Sequence, residues 1–155
     1  MNTLTSSLEF SHFPVMLSEI IQIASPEKGG LFIDCTFGGG SYSNALLKFP
    51  KTKVIGIDRD EAVISRANEL QKKYQKRFKF YQIKFSELDK ILNKNADTII
   101  FDLGLSSIQL KNLNRGFSFK SKNKLDMAMG LNNISAQEAV NNLSEKHLKL
   151  IIKIL

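Results

Sequence analysis

Three short apolar runs in this chain each stop at an aspartate: residues 31–33 at Asp34, 53–57 at Asp58 and 97–101 at Asp102. A fourth run, 78–83, is also strand-like, and a helical period fills the stretch between the second and third, with Ala62, Val63, Ala67 and Leu70 apolar. Strand and helix in alternation predict an α/β fold with a doubly wound parallel sheet, because parallel neighbours need a crossover and a helix supplies it. Ligands of such sheets bind in the crevice beyond the C-terminal strand ends, where all three aspartates fall. Any one of them is as readily a helix N-cap; the same residue type at three equivalent ends points to a shared crevice.

The first strand end runs into a glycine turn, Asp34-Cys-Thr-Phe-Gly-Gly-Gly40, ahead of a helix that starts near Ser43 and closes at Pro50. Glycines let the chain fold sharply and let a ligand reach main-chain N–H groups, although a purely structural turn uses glycine too. The spacing of a dinucleotide site fails here, since Gly38-x-Gly40 is followed by Ser43 where the third glycine belongs. Asp34, just before the loop, attracts a cationic amino-acid end and repels a pyrophosphate. Both points favour S-adenosylmethionine over a nicotinamide cofactor, with Asp58 accepting from ribose hydroxyls.

The rest of the chain is less informative residue by residue. Residues 1–10 read as a polar lead, and Val15, Ile20, Ile21 and Ile23 suggest a short amphipathic helix ending near Ser25-Pro26. A brief helix is expected to end near Asn93, and Gly104 to Ser107 reads as a turn. Beyond it come Arg115, Gly116-Phe-Ser-Phe119 and then Lys120, Lys122 and Lys124; Ser135 with Glu138 forms a capping box for a helix to Asn142, and Ser144 opens a final helix to Leu155. With 22 basic against 15 acidic residues the net charge is +7, which suits a polyanionic partner.

The single cysteine, Cys35, rules out a disulfide scaffold and reads as a buried strand-end residue in a reducing compartment. His12 has no second ligand at metal spacing, so no metal site is expected. No apolar run approaches the roughly 20 residues that span a bilayer, and no signal peptide is visible, so a soluble cytoplasmic protein with no membrane partner is expected.

The ordered set His12-Phe-Pro-Val15, Asp34-Cys-Thr-Phe-Gly-Gly-Gly40, Gly56-Ile-Asp-Arg-Asp60, Asp102-Leu-Gly-Leu-Ser-Ser107, Arg115-Gly-Phe-Ser-Phe119 and Leu125-Asp-Met127 closely resembles the bacterial 16S rRNA cytosine-N4 methyltransferase family, also called MraW or RsmH. The match is collinear from about Ser11 to Ser144. The resemblance implies a class I S-adenosylmethionine-dependent methyltransferase with a Rossmann-like parallel sheet. Residues 1–107 would form the N-terminal part of the cofactor domain, and residues 108–155 the beginning of an inserted helical substrate-recognition domain. The implied reaction is N4-methylation of a cytidine in 16S rRNA of the small ribosomal subunit.

Carried over by position, the family's cofactor contacts fall on Gly40, Ser41, Tyr42, Asp58, Phe85, Asp102 and Gln109, beside Asp34 and Gly38 of the loop. Asp102, Ser106 and Ser107 are expected to line the methyl-transfer site. Arg115, Lys120, Lys122 and Lys124 are expected to hold RNA phosphates, while Phe117 and Phe119 stack on bases or, as the favoured reading, pack in a core. The family usually has Gly and often His at Ser41 and Tyr42, and Arg at Ala128; a serine with positive φ in the loop would alter backbone approach to the cofactor. Family members are much longer, so the chain is expected to stop inside the insert with only four strands, the fourth an unpaired apolar edge. Poor autonomous stability and weak turnover are therefore expected unless a homodimer or a complementing C-terminal fragment completes it. The alternative is a remnant that binds S-adenosylmethionine or RNA without methylating.

Overall fold

A computed structural model describes residues 14–92, 95–131 and 134–154. Helix α1 (Leu17–Ala24) leads through a single 3-10 turn into strand β1 (Gly30–Asp34), the glycine loop and helix α2 (Ser41–Leu47). Strand β2 (Thr52–Asp58), helix α3 (Ile64–Tyr74) and strand β3 (Phe78–Gln82) follow, and then a 3-10 segment, Phe85–Lys90, crosses back to strand β4 (Thr98–Ile100). Past the sheet come α4 (Ser107–Lys111), α5 (Ala136–Asn142) and α6 (Glu145–Ile154).

All four strands are parallel, in the order β3-β2-β1-β4. The chain winds outward from β1 to β3 and then returns to the other side of β1, so the direction of winding reverses between β1 and β4. That switch opens the ligand crevice of a Rossmann-like sheet. Asp34 lies opposite both Gly56 and Ile100, and Asp58 opposite Gln82, which brings the strand C-termini into one row.

Side chains alternate across each strand, so β1 feeds two cores. Phe32 packs with Leu46, Leu47, Val54, Ala67, Leu70 and Phe78 under α2 and α3. Ile33, Cys35 and Ile57 face the other way, against Leu88, Ile91 and Leu92 of the β3–β4 crossover. Arg77 fastens the first layer by donating Nη1 hydrogen bonds to the carbonyls of Leu47 and Phe49, each at 3.0 Å, where α2 ends and its last carbonyls lack helical partners. Burial pushes the Cys35 thiol up to about 11, which keeps it protonated and inert.

Several sequence expectations need adjustment. α2 starts at Ser41 because Gly40, in the left-handed region, turns the chain into the helix earlier than the apolar pattern suggests. The turn expected over 104–107 leads at once into α4, whose capping box, Ser106 with Gln109, went unread. Phe119 does not pack in a core: it is fully exposed, whereas Phe117 is buried with the Arg115 guanidinium 5.1 Å from its ring centroid. The Ser135–Glu138 capping box forms as expected. β4 pairs with β1 on one side, and among the described residues no strand pairs with its other edge; Ile99 of β4, and Phe101 and Leu103 just beyond it, are exposed. Among the described residues no helix is long and apolar enough to cross a membrane. The polar lead over 1–10, His12, and the helix ends expected at Asn93 and Leu155 lie outside the described residues.

Candidate cofactor crevice

The loop that leaves β1 is held by the strand ends on both sides of it. Cys35 N–H donates to the Ile100 carbonyl and Phe37 N–H to the Ile57 carbonyl, both at 2.9 Å. The Phe37 ring turns inward, 5.7 Å from Phe78 and 5.2 Å from Phe80. That buried ring sets the loop's glycine requirement: a Cβ at Gly40, where φ is +73°, would lie 2.7 Å from Phe37 Cζ. Ser41, by contrast, has no positive φ and opens α2, so serine fits that position without strain. A Cβ at Gly39 would meet nothing within 4 Å, so the loop presents bare backbone there.

Three carboxylates converge on this loop. Asp34 is completely buried; one oxygen accepts from the Ser43 hydroxyl at 2.7 Å and from Ser43 N–H at 3.3 Å, while Oδ1 has no hydrogen-bond partner among the described residues. Burial, helped by the nearby Asp58 charge, pushes its carboxyl up to about 6. Asp58 Oδ2 accepts from Gly38 N–H at 2.8 Å and Oδ1 from Asp60 N–H at 2.9 Å, which ties the loop to the end of β2. Each of its oxygens keeps a further acceptor site. Burial also raises the Asp58 carboxyl above its ordinary value.

Asp102 enters from β4. Its N–H donates to the Thr36 hydroxyl at 2.8 Å, and its carboxylate lies beside the Tyr42 phenol, which burial first and the Asp102 charge second hold above its ordinary pKa. Tyr42 is buried and donates its hydroxyl to the Val15 carbonyl, so this position both packs and fastens the segment ahead of α1. Phe85, delivered by the β3–β4 crossover, meets Phe101 edge-on at 5.5 Å and 87°, forming a half-exposed aromatic wall next to Asp102.

The remaining expected residues are arranged differently. Ser106 caps α4, accepting from Gln109 N–H at 3.3 Å and donating its own N–H to Gln109 Oε1 at 2.9 Å, and Ser107 is the first residue of that helix. Gln109 is buried and donates Nε2 to Asp60 Oδ2 at 2.8 Å. Arg115 is not presented to solvent for phosphate: Nη1 sits 2.9 Å from Asp60 Oδ2, and Nη2 donates to the Ala128 carbonyl at 2.6 Å. An inward guanidinium of this kind is consumed by its carboxylate partner. Lys120, Lys122 and Lys124 are exposed on the segment beyond the sheet, next to Phe119.

Asp60 and Thr36 are the residues that sequence reasoning missed. Asp60 carried a local signal, an aspartate two residues before a donor N–H at Ala62, which it caps at 3.0 Å. Its partner Arg115 is 55 positions away and left no local trace.

The residues fit an adenosyl cofactor. A buried acceptor without a partner at Asp34 Oδ1, bare backbone at Gly39, spare acceptor capacity on Asp58 and an aromatic wall meet at the sheet's switch point.

A model of the MraW methylase family matches residues 9–155. Curated relatives include the ribosomal RNA small subunit methyltransferase H of Rickettsia massiliae, 45% identical over 143 residues, and that of Rickettsia akari, 43% identical over the same length. Each alignment covers 92% of this chain and 47% of the relative, so the chain spans about half the length of the curated relatives it matches. Among solved structures, an rRNA methylase from Streptococcus thermophilus is similar at 18% identity and a TM-score of 0.49, over 61% of this chain and 57% of that one. A putative rRNA methylase from Clostridium thermocellum is similar at 19% identity and a TM-score of 0.48, over 56% and 52%. With the family pattern running through the glycine loop, all three strand-end aspartates and the segment beyond them, this chain belongs to the MraW methylase family.

Proposed function

We propose that this chain carries the cofactor-binding part, residues 1–107, and the first substrate-binding part, residues 108–155, of an S-adenosylmethionine-dependent methyltransferase acting on the N4 amine of a cytidine in 16S rRNA of the small ribosomal subunit. The observation that carries the reading is the convergence of Asp34, Gly38 and Asp58 on one loop at the sheet's switch point, with Asp34 Oδ1 buried and unpartnered. The names of the relatives support the RNA substrate.

The bound cofactor supplies an electrophilic methyl group. Asp34 offers its free oxygen to the cationic amino end, Gly38, Gly40, Ser41 and Tyr42 shape the loop around it, Asp58 accepts from ribose hydroxyls, and Phe85 with Phe101 walls the adenine. Asp102 accepts a hydrogen bond from the cytosine amine and orients its lone pair, with Ser106 and Ser107 bounding the same turn. Methyl transfer of this kind gains most from positioning and from excluding water. Lys120, Lys122 and Lys124 contact RNA phosphates, and the exposed Phe119 ring offers a stacking surface for a base. An rRNA substrate places the protein in the cytoplasm.

One observation favours a second reading, binding without turnover by this chain by itself. The exposed β4 edge, with Ile99, Phe101 and Leu103 uncovered, flanks Asp102, and a second copy or a fragment carrying the rest of the relatives' length would complete it.

The test is methyl transfer from labelled S-adenosylmethionine to small-subunit particles, run beside a calorimetric titration with S-adenosylhomocysteine. Transfer that Asp102→Ala abolishes supports the enzyme. Binding without transfer selects the second reading, and absence of binding refutes both cofactor assignments.

A further inference from the structure

Asp60 is 1% exposed, yet it is charged and belongs to none of the expected cofactor contacts. Its oxygens accept from Ala62 N–H at 3.0 Å, Gln109 Nε2 at 2.8 Å and Arg115 Nη1 at 2.9–3.0 Å. Burial pushes its carboxyl up, but the Gln109, Ala62 and Arg115 donors outweigh that and hold it below its ordinary value, so it stays ionised. On its other side, Asp60 N–H donates to Asp58 Oδ1, and Asp58 Oδ2 accepts from Gly38 N–H.

Arg115 extends the same chain of contacts away from the sheet. Nη2 reaches the Ala128 carbonyl at 2.6 Å, and Met127 N–H donates to the Arg115 carbonyl at 2.9 Å. Gly130 then runs so close over the β2–α3 turn that a Cβ would lie 3.2 Å from the Arg59 carbonyl oxygen and 3.3 Å from Glu61 N. Hydrogen bonds thus run without a break from the glycine loop, through Asp58, Asp60 and Arg115, to the backbone of residues 127–128.

We propose that Asp60 and Arg115 are a positioning pair for the methyl-transfer site, holding Gln109 and residues 125–130 against the turn that carries Asp58, so that the post-sheet segment and the glycine loop order together. This rests on the cofactor reading above. A buried ion pair is a poor source of net stability compared with apolar packing, whereas it specifies one arrangement of the segments it joins. Here those segments are the two sides of the crevice. With both Asp60 oxygens taken by protein donors, the pair acts through Asp58 and Gln109.

The test uses the full 155-residue chain. S-adenosylhomocysteine affinity is measured by calorimetry for Asp60→Asn, Arg115→Gln, the double variant and Arg115→Lys, and amide exchange is followed in the same proteins. Each of the first two is expected to weaken binding about tenfold, inside the 5–150-fold range of ordinary site coupling. The double variant should be no weaker than the worse single one, because both remove the same contact. Protection should fall at 125–130 and stay intact in β1 and β2, and Arg115→Lys, which keeps the charge, should recover most of the affinity.

A tie that only stabilises would lower protection at 125–130 and leave affinity unchanged, and that result overturns the proposal, as do additive losses in the double variant. If Arg115→Gln also loses protection in β1 and β2, Arg115→Lys decides: wild-type affinity with restored protection at 125–130 supports the pair, and weak affinity in a protected protein overturns it. A wild-type chain that does not bind S-adenosylhomocysteine overturns the cofactor reading and the pair together, whereas wild-type binding that the variants leave intact overturns the pair by itself.

Discussion

Alanine at Gly40 and alanine at Gly39 should behave in opposite ways, although the two glycines are adjacent. At Gly40 the backbone sits at φ +73°, where an L-residue costs about 1–2 kcal/mol. The new methyl would also lie 2.7 and 2.9 Å from Phe37 Cζ and Cε2 and 3.4 Å from Leu70 Cδ2. The Phe37 ring has no room to retreat, since Phe78 and Phe80 pack against it and Gly56 already approaches it as closely as a missing Cβ allows. Overpacking of this kind costs about 1–3 kcal/mol, so Gly40→Ala should lose about 2–5 kcal/mol in all, much of the stability of a small domain. At Gly39 there is no positive φ and no neighbour within 4 Å, so alanine should change stability by no more than about 0.5 kcal/mol. On the proposed cofactor reading its methyl would instead stand on the open side of the loop and weaken S-adenosylhomocysteine binding. Urea unfolding followed by circular dichroism, with calorimetric titration of the same samples, reads both effects. Gly40→Ala within about 0.5 kcal/mol of wild type, or Gly39→Ala as damaging as Gly40→Ala, would refute the steric account of the loop.

Asp34 predicts a pH dependence. Its folded carboxyl, at about 6, lies above the ordinary 3.8, so as pH rises through that window the unfolded chain sheds its proton first and stability falls; above about 6 the loss levels off, near 3 kcal/mol at most. Asp34→Asn should remove this component, and urea unfolding from pH 4 to 8 with the same slope as wild type would exclude it. Replacing Lys120, Lys122 and Lys124 together by alanine should reduce the salt dependence of RNA binding by about 2 in log–log slope without changing the melting temperature. Phe119→Ala, at a fully exposed ring, should weaken RNA binding and leave the melt unchanged; a lower melting temperature would show that the ring packs after all. Arg77→Met removes the Leu47 carbonyl's side-chain donor, while the Phe49 carbonyl keeps the Thr52 hydroxyl at 2.8 Å, and should cost about 1–3 kcal/mol in a thermal melt, with no loss counting against its capping role.

Much of the sheet was legible because its signals are local. An apolar run such as 53–57 ended by Asp58 names a strand and its crevice end without knowledge of any neighbour, and β2 extends only from Thr52 to Asp58. Ser135 with Glu138 likewise announced α5. The misreadings share a physical origin in three-dimensional geometry that residue type does not carry. Arg115 looked like a phosphate ligand beside three lysines, but its partner is Asp60, buried at the end of another strand. Phe119 has the same apolar character as Phe117, and only Phe117 has the Arg115 guanidinium to lie against. The concern over Ser41 depended on its φ, which is set by where Gly40 turns the chain.

By itself, then, the sequence determined the alternation of strands and helices, the family, and the residues at the strand ends, because each is written in periodicity or in a contiguous motif. The tertiary structure decided which carboxylates are committed to structure and which keep an oxygen free. Asp58, Asp60 and Asp34 belong to one residue class in the text of the chain, yet they differ in burial and in their donors: Asp60 is saturated by Gln109, Ala62 and Arg115, while Asp34 retains an unpartnered Oδ1. That distinction arises only when β1, β2 and α4 are brought within hydrogen-bonding distance, and it separates a carboxylate saturated by its donors from one that keeps a buried, unpartnered oxygen.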